Sequence, residues 1–317
     1  MIAGEFKSMR DVFLERIHLA MKQRDDIFLV SDDFGSRVLD KIRDDFSDRF
    51  INVGIAEQNC INVAAGLALE GYTVFAYGIA CFMSMRSFEQ IRVNVSMTSQ
   101  LRPLNLNIVG VGAGLSYDVS GPSHHCLEDL TLLRLLPHVD LFSPSDWQTA
   151  ARLADYSVEK GGPKYFRFDS KPAPAIYGPE DELNLAAGFH ELAQGEDTCI
   201  VSTGFMTHVA LKAAARADEP IGVIDVFGLK PADQQPLYES LRRYDWIVTL
   251  EEGFIKRGGL DSFIACVLAE NGSQVKLTRL GVDDRYLFEL GGRERLHRIC
   301  GIDEEGVLEV VSKVASA

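Results

Sequence analysis

The chain has 317 residues, which is too many for one small domain and suits two domains of ordinary size. Apolar residues make up 46% of it and charged residues 25%, so a sizeable core can form. The formal net charge of −14 argues against a surface for nucleic acid or an anionic membrane, because either would require a basic patch.

Helical and strand patterns alternate along the first half of the chain. Apolar residues spaced three and four apart predict helices, whereas short β-rich runs predict strands. The predicted helices cover residues 10–24, 57–70, 84–97, 126–136 and 147–159, with 36–48 as helix or loop. The predicted strands cover residues 27–33, 50–53, 72–77, 105–111, 139–142 and 164–168. Such alternation favours a mainly parallel sheet with helices on both faces.

A proline-rich segment then interrupts this alternation. Residues 171–188 hold three of the eleven prolines, and the α/β pattern restarts beyond them. Strands are predicted at 198–201, 221–226, 246–250 and 275–280, and helices at 206–216, 233–243 and 258–270. The sequence therefore predicts the α/β fold class, as two three-layer domains with mainly parallel sheets. These are residues 1–175 and 188–317, joined by a linker at 176–187.

The cysteines and the N-terminus bear on the compartment. The stretch MIAGEFKS is not a secretory signal, and no apolar run reaches the ~18 residues that a membrane span requires. No cysteine belongs to a CxxC pair, and most lie in apolar runs. These features predict reduced, buried thiols in a cytoplasmic protein that does not cross a membrane. The cysteines are Cys60, Cys81, Cys126, Cys199, Cys266 and Cys300.

Glu57 lies where a predicted strand meets a helix of small residues, in RFINVGIAEQN (49–59). If that junction is buried, loss of water favours the protonated carboxyl, which suits general acid–base work near neutral pH. The alternative is a carboxylate placed at a helix N-terminus because the helix dipole favours a negative charge there. The sequence of this segment alone leaves both interpretations open.

Two further segments hold candidate residues. In residues 73–92 an apolar strand leads into Ile79 and Phe82, and the aromatic ring is either core or the floor of a pocket for a planar ligand. Arg86 and Glu89 are expected to pair along the following helix. In residues 251–263 a Gly-Gly pair opens a helix, which is more typical of close packing than of anion binding.

A loop rich in glycine and serine ends in two adjacent histidines, His124 and His125, within GVGAGLSYDVSGPSHHCLEDL (110–130). Active-site loops follow the carboxyl ends of strands in open α/β sheets, and histidine transfers protons near neutral pH. The spacing offers no third ligand for a metal ion. The alternative is a helix capped by Ser123 beside histidines without a catalytic role.

The order and spacing of these segments carry more information than any one of them. GIAEQN, FMSMRSFEQIR, GPSHHCLEDL, SPSDW and EEGFIKRGGL follow one another across nearly the whole chain. The series resembles the thiamine-diphosphate-dependent transketolase family. It is similar to the pyrimidine-binding and C-terminal domains of that family, and to the C-terminal subunit of split transketolases.

The resemblance implies a role for each matching residue. Glu57 would bind a ring nitrogen of the cofactor's aminopyrimidine and favour the tautomer that activates the cofactor, with Phe82 stacked on that ring and Ile79 in contact with it. His124 would contact substrate oxygens and assist proton transfer. Arg167 would bind a sugar phosphate, with Arg10 and Ser36 as further phosphate contacts.

The sequence departs from the family pattern at two substrate positions. Ser120 replaces an aspartate four residues before His124, and Gly112 replaces a histidine twelve residues before it. Asp118 could take over part of the missing acid's role. These departures imply the same cofactor chemistry with a different sugar specificity from pentose-phosphate transketolase.

The chain contains no GDG followed by asparagine, the family's motif for Mg²⁺ and the diphosphate. The resemblance therefore implies a larger partner subunit that carries this motif, in an α₂β₂ enzyme transferring a two-carbon ketol unit from a ketose or its phosphate to an aldehyde or aldose. Alternatives are a deoxyxylulose-phosphate-synthase-like subunit, the β subunit of a 2-oxo-acid dehydrogenase, or a non-catalytic assembly subunit.

Overall fold

The computed structural model describes residues 5–230 and 234–315 and divides the chain into two compact units. The first unit comprises the chain up to Ala113 together with Leu132–Phe142 and Asp146–Pro179. The second comprises Gly114–Thr131, Ser143–Ser145 and the chain from Glu180 onward. The predicted helix at 233–243 begins outside the described residues.

Six parallel strands form the sheet of the first unit, side by side in the order β5-β6-β4-β3-β1-β2. The two central strands β3 and β4 are almost wholly buried, as expected for apolar runs covered on both faces. The strands are β1 (Ile27–Ser31), β2 (Phe50–Asn52), β3 (Thr73–Ile79), β4 (Asn105–Val111), β5 (Asp140–Phe142) and β6 (Lys164–Phe168).

Polar caps set where three helices of this unit begin. The Ser8 and Ser36 hydroxyls and the Asp146 carboxylate each accept a backbone N–H three residues further on. The helices are α1 (Met9–Met21), α2 (Arg37–Asp45), α3 (Glu57–Leu69), α4 (Ala80–Arg86), α5 (Phe88–Gln90) and α7 (Trp147–Glu159). Helix α6 (Asp129–Arg134) begins in the second unit and ends in the first.

The predicted helix at 84–97 is wrong in its start and its continuity. Helix α4 begins at Ala80 directly after β3, and the chain leaves helical geometry at Ser87. After the short helix α5, residues Ile91–Met97 form a π-helical segment. This break changes which side chains meet across the segment, including the partner of Arg86.

The second unit contains a five-stranded sheet in the order β12-β11-β8-β9-β7. Strand β7 is antiparallel to β9, and the other neighbours are parallel. The strands of this sheet are β7 (Phe189–Ala193), β8 (Thr198–Ser202), β9 (Gly222–Val226), β11 (Trp246–Phe254) and β12 (Lys276–Val282). The short strand β10 (Gly228–Lys230) lies outside it. The helices are α8 (Met206–Arg216), α9 (Gln234–Leu241), α10 (Leu260–Glu270), α11 (Arg293–Cys300) and α12 (Glu304–Ala315).

The α/β fold class is confirmed, since both sheets are mainly parallel and flanked by helices. The sequence did not predict four of the elements, β7, β10, α11 and α12. None of the six cysteines, all of which the structure describes, forms a disulfide, but the prediction of burial is wrong for Cys266, which is exposed, and for Cys300, which is half-buried. Of the helices in the described residues, none has the length and apolar character needed to cross a membrane.

Candidate active site

The candidate site of the first unit lies beyond the carboxyl ends of its parallel strands. Asp32 follows β1, Glu57 lies a few residues after β2, and Phe82 lies in the first turn of the helix that follows β3. Arg167 is the penultimate residue of β6. Because the strands are parallel, their carboxyl ends share one edge of the sheet, the usual location of ligand sites in such folds.

Glu57 is the first residue of α3 and is only 5% exposed. Its neighbour Ala56 occupies the N-cap position and offers no side-chain cap. The turn before it requires a left-handed residue, Gly54 at φ 76°, whose N–H donates to Asn52 Oδ1 at 2.8 Å. The turn at Gly54 therefore places the Glu57 carboxyl at a buried helix N-terminus. The burial and the helix-dipole interpretations of Glu57 are compatible, because Glu57 is both buried and at the start of a helix.

Arg86 connects Glu57 with the aromatic ring of Phe82. Its Nη1 donates to Glu57 Oε1 at 2.7 Å, and its guanidinium lies 4.1 Å from the centre of the Phe82 ring. The expected pairing of Arg86 with Glu89 is wrong, because α4 ends at Arg86 and a separate helix begins after Ser87. Glu89 pairs instead with Arg92, at 3.2 Å.

Asp32 is a site residue to which sequence reasoning assigned no role. It is 6% exposed, and among the described residues its Oδ1 has no hydrogen-bond partner. Burial, and then the nearby charge of Glu57, raise the pKa of Asp32 to about 7. The only signal in the sequence was a β-rich run ending in two acids.

Gly78 shows how closely the strands hold the Asp32 side chain. A Cβ at Gly78 would lie 2.1 Å from Asp32 Oδ2, so only glycine fits beside it on β3. Asp32 and Glu57 lie near enough for the charge of Glu57 to act on Asp32, and Asp32 keeps its proton close to neutral pH. An unsatisfied buried acceptor of this kind calls for a ligand or an ordered water.

The remaining predicted residues of the first unit lie in strands β3 and β6 and at the starts of helices α1 and α2. Arg167 is 3% exposed, and Ile79 ends β3. The Ser36 hydroxyl caps α2 by accepting the Leu39 N–H at 3.2 Å. The Arg10 guanidinium donates to both carboxylate oxygens of Asp11, at 2.8 and 3.2 Å. Ser36 and Arg10 therefore already make local bonds.

The second unit holds the segment Gly114–Cys126, called the histidine loop below. Gly114 and Cys126 form an antiparallel bridge that closes it. His124 is half-buried, with its Nδ1 3.1 Å from Ser123 Oγ and its ring edge-on to Tyr117. His125 is 3% exposed, and neither of its ring nitrogens has a hydrogen-bond partner in the described part of the chain.

The environment of this loop bears on the remaining candidates. Burial lowers the pKa of His125, so its imidazole is neutral at physiological pH. Asp118 accepts the backbone N–H of Arg293 at 2.7 Å, and Ser120 is exposed in a turn. Gly112, at φ 102°, requires the conformational freedom of glycine.

The Gly-Gly pair at 258–259 serves close packing, as the sequence indicated. Glu251 is fully buried, and its carboxylate accepts the N–H groups of Leu260 (2.9 Å) and Asp261 (2.8 Å) at the start of α10. A Cβ at Gly259 would lie 2.2 Å from Glu251 Oε2. The protein's own carboxylate therefore occupies this helix start.

Two domain models of one protein family together match most of the chain. The family model of the transketolase pyrimidine-binding domain matches residues 6–173, and that of the transketolase C-terminal domain matches residues 189–307. A curated relative from Methanocaldococcus jannaschii, described as a putative transketolase C-terminal section, is 33% identical over 96% of both chains.

One further curated relative is described as an enzyme subunit, and one solved structure is described as a split-gene enzyme. The curated relative, from Actinobacillus succinogenes, is described as a subunit of apulose-4-phosphate transketolase and is 28% identical over 95% of this chain and 96% of its own. A solved structure described as a split gene transketolase, inactive beta4 tetramer, is 31% identical with a TM-score of 0.86. It covers 96% of this chain and 97% of its own.

Proposed function

Since the chain belongs to the transketolase family, we propose that it is the smaller subunit of a split, thiamine-diphosphate-dependent transketolase-like enzyme. The enzyme transfers a two-carbon ketol unit from a ketose or ketose phosphate to an aldehyde or aldose acceptor. The observation that carries the proposal is the buried Glu57 carboxyl at the carboxyl ends of parallel strands, bonded to the same Arg86 guanidinium that lies over the Phe82 ring.

The residues of the first unit fit the aminopyrimidine end of the cofactor. Glu57 offers a buried carboxyl for a ring nitrogen, and Phe82 and Ile79 offer an aromatic and an aliphatic surface for the ring. The unsatisfied Asp32 Oδ1 is a further buried acceptor at the same edge. Bound there, the cofactor would supply a nucleophilic carbon for a ketose carbonyl, and Glu57 would hold a proton at the ring nitrogen.

The diphosphate end is assigned to a larger partner subunit with the GDG…N motif, which this sequence lacks. That partner would hold Mg²⁺ through oxygen ligands, as this cation prefers, and the assembly would be α₂β₂. The description of one relative as a transketolase subunit, and of another as an inactive tetramer of β chains, supports a two-chain enzyme. Six cysteines without a disulfide among the described residues support a reducing compartment such as the cytoplasm.

Substrate binding is assigned to four residues. His124 takes the role of contacting substrate oxygens and transferring protons, and the buried Arg167 that of binding a phosphate. Arg10 and Ser36 are further phosphate contacts. The departures at Gly112 and Ser120 touch the substrate side alone, so we place this enzyme's sugar outside the ordinary pentose phosphates. In this assignment residues 1–175 form the pyrimidine-binding domain, residues 188–317 form the transketolase C-terminal domain, and 176–187 is the linker.

Reconstitution tests the proposal. Isothermal titration of this chain alone with thiamine diphosphate and Mg²⁺ should show little binding, whereas the mixture with the GDG…N subunit should bind tightly. The complex should then transfer a ketol unit from a ketose phosphate to an aldose. Tight binding by this chain alone would refute the two-chain assignment.

The substrate panel separates the other functions. Turnover of pyruvate with an aldehyde phosphate would indicate a synthase-like ligase, and oxidative decarboxylation of a 2-oxo acid would indicate a dehydrogenase β subunit. A complex that binds the cofactor and turns over none of these substrates would indicate an assembly role.

A further inference from the structure

The histidine loop is held at its base by a carboxylate from β11. The backbone N–H of Leu115 donates to Glu252 Oε2 at 3.2 Å. The loop approaches this carboxylate so closely that a Cβ at Gly114 would lie 2.1 Å from Oε2, and Gly114 has the left-handed φ of 56°. Glycine is therefore required where the loop meets Glu252.

Two side chains of α11 bind the same carboxylate. Arg293 Nε donates to Oε1 at 2.7 Å and its Nη2 to Oε2 at 2.6 Å, a two-pronged arrangement, and His297 also bonds to Oε1. The backbone N–H of Arg293 donates to Asp118 Oδ2 at 2.7 Å. Helix α11 thus reaches the loop at two points, through Glu252 and through Asp118.

These charges are buried together. Glu252 and Arg293 have side chains 3% and 6% exposed, and the Arg293 guanidinium lies 3.8 Å from the centre of the Phe205 ring. Burial would raise the pKa of Glu252, but Arg293 and His297 outweigh burial and hold that pKa well below its ordinary value. The carboxylate is therefore charged near neutral pH, so its bonds to Arg293 and to the loop do not depend on pH there.

Apolar packing fixes both ends of the loop on the same support. Leu115 and Leu127 belong to one buried cluster with Leu296 of α11, Val282 of β12 and Leu287. A loop attached by a charged group and by apolar side chains at both ends is restrained at those ends. His124 and the buried His125 directly precede Cys126, at the closing end of the loop, and the ring nitrogens of His125 find no partner among the described residues.

We propose that Glu252 is a positioning residue, which holds the histidine loop in the geometry that His124 and His125 need to contact the ketose. The inference rests on the proposed function, because that function gives His124 its substrate. Glu252 acts on the reaction through the loop backbone and α11. The two orphaned nitrogens of His125 support a loop that is preorganised for a ligand.

Amide hydrogen exchange of the full chain tests the attachment without any assay of activity. In Glu252→Gln the amide can no longer hold Arg293 by charge, so a peptide spanning residues 114–126 should exchange at least about fivefold faster. The matched control is Glu251→Gln, an equally buried glutamate that caps α10, where the loop should exchange at the wild-type rate. Unchanged loop exchange in folded Glu252→Gln would overturn the proposal.

If Glu252→Gln does not fold, Arg293→Lys replaces it, because lysine keeps the charge and loses the two-pronged bond. The exchange criterion for the loop is then the same, and unchanged exchange again overturns the proposal.

Kinetics of the reconstituted enzyme test the consequence for the reaction. A loop displaced by about 1 Å should lower kcat/KM for the ketose by about 10²-fold, with cofactor affinity unchanged, since Glu57 and Phe82 are untouched. Wild-type kcat/KM together with a loosened loop would also overturn the proposal. A wild-type complex without ketol transfer would refute the proposed function instead, and the exchange comparison would still decide whether Glu252 fixes the loop.

Discussion

Two buried glutamates, one in each unit, have opposite surroundings. Glu252 accepts hydrogen bonds from a backbone amide, from two nitrogens of a buried arginine and from a histidine. Glu57 is bonded by Arg86, whose side chain is half-exposed, and shares its site with Asp32, which keeps an unsatisfied oxygen among the described residues. The first carboxylate is surrounded by donors, and the second has a neighbour that repels it.

The difference teaches how a structural carboxylate can be told from a functional one. A buried charge with a full set of donors is held ionised and attaches segments of the fold to one another. A buried acid beside another acid destabilises the fold unless a ligand supplies the missing donors, and evolution keeps such pairs chiefly at working sites. The pKa of Asp32, raised to about 7, marks the second kind.

Replacing Glu57 by alanine should have the largest effect on activity. Loss of the acid that we propose holds a proton on the cofactor ring should lower turnover of the reconstituted enzyme about 10²–10⁴-fold. Steady-state kinetics at saturating cofactor measure this, and thermal unfolding should show a folded protein. Glu89→Ala, which removes an exposed carboxylate, is the control and should keep wild-type turnover. Normal turnover in Glu57→Ala would mean that the proton is held elsewhere.

Replacing Glu252 by alanine should act first on stability. Arg293 would be left buried without a counter-charge, which costs about 3–5 kcal/mol in unfolding free energy. Denaturant unfolding followed by circular dichroism measures the loss. A change below about 1 kcal/mol would contradict the view of Glu252 as a structural attachment, because solvent would then have replaced its partners.

Asp32→Asn should stabilise the protein, and more so at high pH. The pKa of Asp32 is near 7 in the folded chain and near 3.8 when unperturbed, so the native state keeps a proton that the unfolded chain releases. Stability is therefore lost as pH rises from about 4 to about 7, and asparagine removes that loss.

The gain in unfolding free energy from Asp32→Asn should be about 2–3 kcal/mol larger at pH 8 than at pH 5. Denaturant unfolding at the two pH values measures it. The control is Asp33→Asn, an exposed neighbour, which should show no such difference. Equal gains at both pH values would show that Asp32 is ionised in the fold.

Much of the secondary structure was accessible from the sequence, because local patterns determine it. The strands at 105–111 and 164–168 and the helix at 147–159 were predicted with their observed bounds, since apolar runs and an Asp146 cap signal them. Glu57 was found because a strand-like run meets small residues next to a carboxylate.

What the sequence missed depends on contacts distant along the chain. Arg293 meets Glu252 only because the start of α11 lies close to the Glu252 side chain of β11, and α11 itself has few apolar residues to signal a helix. The pairing of Arg86 with Glu57 follows from a helix break at Ser87, which no local pattern announced. Asp32 became notable only through burial beside Glu57, a property of the folded sheet.

Arg86→Ala should have the smallest effect on stability, and it tests the comparison of Glu57 with Glu252 most directly. Arg86→Ala removes the arginine bonded to Glu57, but its side chain is 51% exposed, and such pairs contribute less than about 1 kcal/mol. Denaturant unfolding should therefore place Arg86→Ala close to the wild type. Arg293→Ala, which removes the corresponding partner of Glu252, should lose several times as much. If both variants lost the same free energy, Glu57 would be as structural as Glu252, and the distinction between a held carboxylate and a working one would fail.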